Sequence, residues 1–293
     1  MTKQIKADLF LLSMTAIWGS SFILMKNVLE HIPSFAYLSL RFIIATIVLV
    51  VIFYKNLKTA NRKVILFGCI VGLLLFGGMA LQVTGLYYTT ASNSAFITGL
   101  NVILVPIVSS ILLKKKPDRA STIGVFLAFA GLFFLSGGLS FCFNLGDFLT
   151  LLCAVCFTFQ IILIDKFTND QDPKTLAVIQ IGFAALLNTF VWLGLDFKPF
   201  ELDTSVIITL AITGVLGTAL AFAGQTIVQR FTSPTHTALI FAAEPLFGAV
   251  FAMIIPNTQG VTEVLKFNSA VGCLLILAGM LIAEMRLGKV KSN

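Results

Sequence analysis

The feature that most restricts the possible folds is an internal repeat of one apolar segment. Residues 80–106, ALQVTGLYYTTASNSAFITGLNVILVP, align without a gap with residues 219–245, ALAFAGQTIVQRFTSPTHTALIFAAEP. Seven aligned positions are identical, namely Ala80, Leu81, Gly85, Ser94, Thr98, Leu100 and Pro106. The same shift, 219 minus 80 or 139 residues, places Asp8 on Asp147. Because such a repeat means that one structural unit occurs twice, we predict two similar units, residues 1–139 and 140–293.

Composition indicates that both units lie in a membrane. The chain of 293 residues is 58% hydrophobic and 11% charged, with a mean hydropathy of +0.99. A water-soluble fold of this composition would have too little polar surface to cover itself. The net charge of +7 comes from short basic runs between apolar blocks, so no nucleic-acid partner is expected. The expected partner is the lipid bilayer.

Segments of about 20 apolar residues are long enough to cross a bilayer as helices. Ten such segments cover residues 8–26, 35–54, 64–86, 91–113, 119–139, 146–165, 174–195, 204–227, 235–255 and 267–285. The first is too long for the apolar part of a typical signal peptide, and we expect it to be a retained membrane helix. The predicted fold class is therefore an all-α integral membrane protein with ten transmembrane helices.

Basic residues lie mainly on one side of this predicted bundle. Of the 20 Lys and Arg residues, Arg41 lies within a span, Lys26, Lys198 and Lys266 lie on one side, and the other 16 lie on the opposite side. Because basic loops stay in the cytoplasm, we predict a multi-pass protein of the cell membrane with both termini inside. Five helices per unit is an odd number, which predicts inverted repeats. This is the architecture of carriers that work by alternating access.

The sequence supports other functional classes less well. An enzyme would need a cluster of nucleophile, base or metal ligands, but the two histidines, His31 and His236, have no evident partner cluster. Cys153 and Cys156 have the spacing of a redox or metal site without a second pair of ligands, so no metal or cofactor is predicted. A facilitative, channel-like uniporter and a membrane scaffold without transport activity are the alternatives to a carrier.

Several motifs stand out along the chain. They are AIWGSSF at residues 16–22, Lys26, Pro33, Arg41, ASNSAFITGL at residues 91–100, Pro106, Ala243-Glu244-Pro245, and the last helix with Gly272 and Gly279. Together they resemble the two repeats of EamA-type members of the drug/metabolite transporter superfamily. The second unit departs from the pattern of the first, because Phe157-Thr158 replaces Trp18-Gly19 and Gln180 replaces Arg41.

This resemblance implies a ten-helix carrier with a central cavity. The cavity would be lined mainly by helices one, three, four, six, eight and nine. Most members of the family export amino acids, related metabolites or toxic compounds, so the resemblance also implies efflux of a small organic solute. Its motifs identify the family and carry no information on the substrate.

Polar side chains within a span are costly, so each is a candidate for function. The fourth segment places such side chains on one helix face at spacings of four and three. The predicted substrate-binding residues are Trp18, Ser21, Gln82, Ser94, Thr98, Asn101, Gln160 and Gln225. Neutral amide and hydroxyl groups suit a polar metabolite. The alternative roles are hydrogen bonding between helices and, for Trp18, core packing.

Glu244 is the acidic residue predicted to lie well inside a span, and Arg41 is the basic residue predicted to lie within one. Glu244 is either a proton acceptor that couples export to proton entry or a structural residue paired with Arg41, His236 or backbone. Arg41 could bind a substrate carboxylate, but it lies about six residues into its helix. An anchor that extends toward the outer interface is the other interpretation.

Pairs of small residues four positions apart allow helices to approach closely. They are Gly68 with Gly72, Gly124 with Ala128, and Gly279 with Ala283. Such pairs serve packing within one chain or contact between two chains. The predicted assembly is therefore a monomer or a homodimer, with a small-molecule substrate as its other partner.

Overall fold

The computed structural model describes residues 2–29, 31–89, 91–114, 116–136, 144–254 and 267–285, and within these ranges it is helical without strands. The α-helices are α1 Lys3–Val28, α2 Ser34–Leu57, α3 Arg62–Gly85, α4 Ala91–Gly99, α5 Asn101–Leu112, α6 Arg119–Leu135, α7 Leu145–Phe167, α8 Pro173–Leu195, α9 Thr204–Gly214, α10 Ala221–Val228, α11 Pro234–Phe241, α12 Glu244–Ala252 and α13 Phe267–Met285. A π-helical segment, Val215–Leu220, joins α9 to α10, and a 3₁₀ turn, Gln229–Phe231, follows α10.

Several of these helices are long and apolar enough to cross a membrane. Within the described ranges, six stretches have this length and composition: Ser34–Leu57, Arg62–Gly85, Ser94–Leu112, Leu145–Phe167, Pro173–Leu195 and Thr204–Phe231. Arg119–Leu135 and Phe267–Ala283 are shorter apolar helices. The number of ten spans stays a prediction, as does the orientation. Of the basic residues counted for the orientation, Lys115, Lys266, Arg286, Lys289 and Lys291 lie outside the described residues.

Polar side chains set the points at which many helices begin. The first four N–H groups of a helix have no partner within it, so a side-chain acceptor just before the helix favours that starting point. Such acceptors bond to the N–H three residues further on at Asn61, Asp118, Asp172, Asp203 and Ser233. Asn144 and Asp147 form a reciprocal capping box at the start of α7. These caps place the chain's polar turns at the ends of the apolar segments.

Two of the predicted spans are interrupted near their middle. Leu100 separates α4 from α5, and Ala242–Ala243 separates α11 from α12. Pro245 lies in the first turn of α12, where its missing N–H costs no helical hydrogen bond. Interrupted backbone at membrane depth is tolerated where it is buried in protein or lines a cavity.

Glycines bring α6 and α13 into backbone contact. A Cβ atom on Gly124 would lie 2.5 Å from the carbonyl oxygen of Gly279, and one on Gly131 would lie 2.6 Å from that of Gly272. Because the residue number rises along one helix as it falls along the other, the two helices are antiparallel. The Gly68–Gly72 pair packs in the same close manner against α8. These small-residue pairs therefore serve contacts within the chain.

Candidate functional site

A cavity lies between helices from both halves of the chain. Its apolar lining residues are Trp18, Met25, Met79, Phe157, Ile161, Phe222 and Phe241. Its polar and charged lining residues are Ser21, Gln82, Thr98, Asn101, Gln160, Gln225, Arg41 and Glu244. A largely apolar wall with a few polar groups is typical of a site for one small organic molecule.

Arg41 is held in the cavity wall by the π-helical segment. Its Nε donates a 2.5 Å hydrogen bond to the Thr218 hydroxyl, and its Nη2 donates a 3.2 Å hydrogen bond to the Gly217 carbonyl. The indole N–H of Trp18 donates to the same carbonyl at 2.8 Å. A π-turn disturbs the regular hydrogen-bond ladder of a helix and occurs often at functional sites. Here the disturbed turn supplies acceptors for two side chains that line the cavity.

Trp18 also organises the aromatic part of the wall. Its ring centroid lies 4.9 Å from that of Phe222 and 5.0 Å from that of Phe241, the latter in an edge-to-face arrangement. These distances are in the range of favourable aromatic pairs. Trp18 is half-buried, so it packs against its neighbours and still contributes surface to the cavity.

Glu244 is the first residue of α12, directly after the break at Ala242–Ala243. A negative charge is favoured at this end of a helix. A Cβ atom on Gly19 would lie 2.9 Å from the carbonyl oxygen of Glu244, so a glycine in α1 lets the start of α12 approach. In the part of the chain that the structure describes, the Glu244 carboxylate has no ion pair within 4.0 Å. Arg41 and Glu244 therefore do not form the direct ion pair that was one of the structural roles considered for Glu244.

Three buried amide side chains in the wall carry atoms without a hydrogen-bond partner among the described residues. These atoms are Oδ1 of Asn101, Nε2 of Gln160 and Oε1 of Gln225. A buried polar atom without a partner destabilises the fold, which makes such atoms ready binding positions for a polar ligand.

The structure brings nine of the ten predicted site residues to this one cavity. Their contact with a substrate stays a prediction. Ser94 is the exception, because it is fully buried outside the cavity wall and its hydroxyl has no partner among the residues described. Thr98 and Asn101, from the same predicted face, line the cavity on either side of the break at Leu100.

The interpretation of Arg41 as an interfacial anchor is wrong in this structure. Its side chain is 4% exposed and turns inward to the π-helical segment instead of extending along the helix toward the interface. Helix two therefore joins the cavity wall, although the family resemblance implied that helices one, three, four, six, eight and nine would supply most of it.

Sequence reasoning missed part of the apolar wall. The missed residues are Met25, Met79, Phe157, Ile161, Phe222 and Phe241. Phe157 had a usable signal, because the repeat aligns it with Trp18. The others come from apolar helices in which many residues have the same character, so no pattern distinguishes a cavity-facing side chain from a packed one.

His236 takes part in a separate contact away from the cavity wall. Its Nε2 lies 3.1 Å from the Ser121 hydroxyl, which is also 3.3 Å from a carboxylate oxygen of Asp118. This contact joins the start of α11 to the start of α6. Within the described ranges, no group of three or more His, Cys, Asp or Glu residues is arranged to hold a metal ion.

The chain is similar to known transporters over most of its length. Residues 5–137 and 144–285 each match the model of the EamA-like transporter family. An uncharacterized transporter of Archaeoglobus fulgidus is 34% identical over 97% of this chain and 87% of its own length. The uncharacterized transporter YyaM of Bacillus subtilis is 25% identical over 96% of this chain and 94% of its own. A protein crystal structure shares the fold at 18% identity, with a TM-score of 0.81 over 98% of this chain and 99% of that chain.

Proposed function

This chain belongs to the EamA-like transporter family, and from that membership we propose that it is a secondary carrier that exports a small organic solute by alternating access. The observation that carries the proposal is this cavity, whose wall combines residues of both halves of the chain. Carriers with inverted repeats bind their solute between the two repeats and expose it to each side in turn. The proposed solute is an amino acid, a related metabolite or a toxic compound, as the family resemblance implies.

The proposed carrier has ten transmembrane helices in two inverted five-helix units. The two family matches start at residues 5 and 144, which differ by the same 139 residues as the sequence repeat. The antiparallel contact of α6 with α13 supports the inversion, because these are the last helices of the two units. Equivalent helices that run in opposite directions are what an inverted repeat requires.

A pair of equivalent contacts supports the same symmetry. A Cβ atom on Gly78 would lie 2.5 Å from the ring of Phe157, so Gly78 of α3 and Phe157 of α7 are in close contact. The repeat aligns Gly78 with Gly217 and Phe157 with Trp18. Gly217 and Trp18 are joined by the 2.8 Å hydrogen bond that connects the π-helical segment to α1. The same two positions therefore meet twice, each time across the two units, although their chemistry differs.

The proposed location is the cell membrane with both termini in the cytoplasm, on the strength of the 16 basic residues that this orientation places inside. The proposed assembly is a monomer or a homodimer. Its small-residue pairs support a self-sufficient monomer, because those at Gly68, Gly124 and Gly279 are used in contacts within one chain.

Glu244 is the proposed coupling residue. It lines the cavity without a direct ion pair among the described residues and stands at a break between two half-helices. A carboxylate in that position can exchange a proton as the cavity changes sides, so proton entry would drive solute export. A facilitative uniporter would have the same cavity without this exchange.

Transport by the purified protein tests the proposal. Proteoliposomes would be supplied with a mixed metabolite pool, with and without an imposed pH gradient, and solutes that cross would be identified by mass spectrometry. The expected result is gradient-dependent accumulation of particular solutes, which Glu244→Gln abolishes and the exposed control Glu201→Gln retains. Equal, gradient-independent equilibration in all variants would instead establish a uniporter, and no movement of any solute would contradict transport.

A further inference from the structure

Basic side chains from three helices surround the turn that joins α2 to α3. These residues, which form the basic patch, are Lys55, Lys58, Arg62, Lys63 and Lys174. All of them are exposed. Within the described part of the chain, no carboxylate oxygen lies within 4.0 Å of a side-chain nitrogen of the patch. Its positive charge is therefore available to a partner.

Two adjacent aromatic rings gather three of these charges. The Nζ atoms of Lys55 and Lys58 lie 6.0 Å and 5.5 Å from the ring centroid of Tyr54. The Nζ atom of Lys174 lies 5.8 Å from the ring centroid of Phe53. An ammonium group at such a distance is attracted by the face of the ring. The end of α2 and the start of α8 therefore present their ammonium groups at one place.

Hydrogen bonds fix α8 to α2 beside the patch. The side chain of Asn56 donates to the Asp172 carboxylate at 3.1 Å, and the backbone carbonyl of Asn56 accepts from the Thr175 hydroxyl at 3.2 Å. Asp172 also caps α8 by accepting from the backbone N–H and the hydroxyl of Thr175. This carboxylate is thus engaged in the helix contact. Asp170, the other acidic residue between α7 and α8, is exposed.

Exposed apolar surface continues from the patch along two predicted spans. Ile47 and Val51 precede it on α2, and Leu66 and Ile70 follow it on α3, and all four side chains are exposed. Both helices are long and apolar enough to cross a membrane. Tyr54 is also exposed, and tyrosine is enriched at the level of the lipid headgroups. The patch therefore lies where a headgroup layer would meet the acyl chains.

We propose that the basic patch binds an anionic phospholipid of the surrounding membrane. The lipid phosphate contacts the ammonium groups of Lys55, Lys58 and Lys174, and its acyl chains lie along the exposed apolar side chains of α2 and α3. A cluster of basic residues directly beside a membrane helix is typical of such recognition. The site is separate from the cavity and does not depend on the transported solute.

The internal repeat shows that the fold does not require these charges. The shift of 139 residues aligns Lys55, Lys58, Arg62, Lys63 and Lys174 with Gly194, Phe197, Glu201, Leu202 and Phe35. The equivalent turn, between α8 and α9, therefore has an acidic residue and no basic one at these positions. A general excess of basic residues on the cytoplasmic side explains the sign of the charge. It does not require that ammonium groups from two helices converge on adjacent rings.

Lipid retention by the purified full-length chain tests the proposal. The protein in a neutral detergent would be titrated with palmitoyl-oleoyl phosphatidylglycerol or with phosphatidylcholine of the same chains, and bound lipid would be counted by native mass spectrometry. We expect phosphatidylglycerol to bind about tenfold or more tightly, because its charge is not neutralised within the headgroup. Inorganic phosphate, which lacks acyl chains, should not displace it. Displacement by phosphate at equal concentration would assign the patch to a free anion and overturn the lipid site.

Two triple variants with the same loss of charge separate the patch from charge in general. The patch variant combines Lys55→Gln, Lys58→Gln and Lys174→Gln. The matched control combines Lys114→Gln, Lys116→Gln and Lys166→Gln, which are exposed residues on the same predicted side of the membrane. The patch variant should bind both lipids equally, whereas the control should keep the wild-type preference. Because all six side chains are exposed, both variants should fold, which thermal unfolding without added lipid verifies.

Three results would contradict the proposal. The first is equal binding of the two lipids by the wild-type chain, and the second is an unchanged preference in the patch variant. The third is an equal loss of preference in both triple variants, which would assign lipid binding to the overall charge of that side. Since the measurement is lipid retention, its result is independent of whether the chain carries a solute.

Discussion

Gln180 donates a 2.5 Å side-chain hydrogen bond to the hydroxyl of Thr226 and so joins α8 to α10. Both residues are fully buried, and Gln180 is the position that the repeat aligns with Arg41. The two equivalent positions therefore have different structural roles. Arg41 lines the cavity, whereas Gln180 holds two helices together outside its wall.

Replacing Gln180 should consequently affect stability and leave ligand selection unchanged. We expect Gln180→Ala to lower the free energy of unfolding by about 1–3 kcal/mol, because it removes a buried hydrogen bond and leaves a void. Thermal unfolding in detergent measures the first effect. Ligand preferences measured on the folded fraction should equal those of the wild type, and a changed preference would contradict the assignment of Gln180 to packing.

Gly124 should be sensitive to the smallest added side chain. The methyl group of Gly124→Ala would meet the carbonyl oxygen of Gly279 at 2.5 Å, so α6 and α13 would have to separate. Overpacking of this kind costs about 1–3 kcal/mol, and we expect a lower unfolding temperature. Gly194→Ala is the matched control, since its Cβ atom would meet nothing within 4 Å. Equal effects of the two substitutions would show that the close helix contact is not what stabilises the bundle.

Thiol labelling should distinguish the cavity-facing side of α4 and α5. In a chain whose five native cysteines are replaced by serine, we expect Thr98→Cys and Asn101→Cys to react with a small hydrophilic reagent, since both residues line the cavity. Ser94→Cys and Val102→Cys should stay unreactive, because both positions are fully buried outside its wall. Rapid labelling at Ser94→Cys would mean that the cavity extends along α4 beyond Thr98.

The Asp172 carboxylate should make stability depend on pH in the acidic range. Burial raises the pKa of Asp172, but hydrogen bonds from Thr175, Asn56 and Lys174 outweigh it, so the pKa lies below its ordinary value of 3.8. The folded state therefore favours the ionised form. This contribution is fully present above the unfolded-state pKa and is lost as the pH falls through the lower folded-state pKa.

Two substitutions separate the charge of Asp172 from its capping role. Asp172→Asn keeps an acceptor at the start of α8 and should flatten the pH dependence of the unfolding temperature below the ordinary carboxyl pKa. Asp172→Ala should cost about 1 kcal/mol at neutral pH, because the cap is lost. The exposed Asp170→Asn serves as control. A wild-type acid transition that persists in Asp172→Asn would assign the pH dependence to other groups.

The apolar segments and the polar side chains within them could be predicted, because each follows from the free-energy cost of placing an unpaired polar group in a bilayer. Unpaired backbone in a bilayer requires long helices, and polar side chains in those helices require partners or a cavity. That reasoning identified Gln82, Gln160 and Gln225, which lie far apart in sequence and line one cavity. That these three side chains meet at one cavity depends on how the helices pack. The internal repeat was the main feature of the sequence that indicated this packing.

The exact faces of the helices could not be predicted, because they depend on irregular turns. The helical spacing placed Ser94 on one face with Thr98 and Asn101, but Ser94, one turn before Thr98 in α4, is buried beyond the end of the cavity wall. Arg41 was assigned to the interface from its distance to the helix end. Its inward partners at Gly217 and Thr218 exist only in the π-helical segment, and a glycine in an apolar helix does not by itself indicate such a turn.

The π-helical segment Val215–Leu220 makes one place in the chain tolerant of a change in length. A π-turn contains an extra residue, so deleting one residue there would leave an ordinary α-helix with α9 and α10 in unchanged register. A deletion elsewhere in the same helix would rotate everything beyond it by about 100°. The shortened helix would return the Gly217 carbonyl to its own backbone and release Trp18 and Arg41. A chain shortened by one residue at this point would therefore fold as before. It would lose the hydrogen bonds that hold the buried Arg41 guanidinium in the cavity wall.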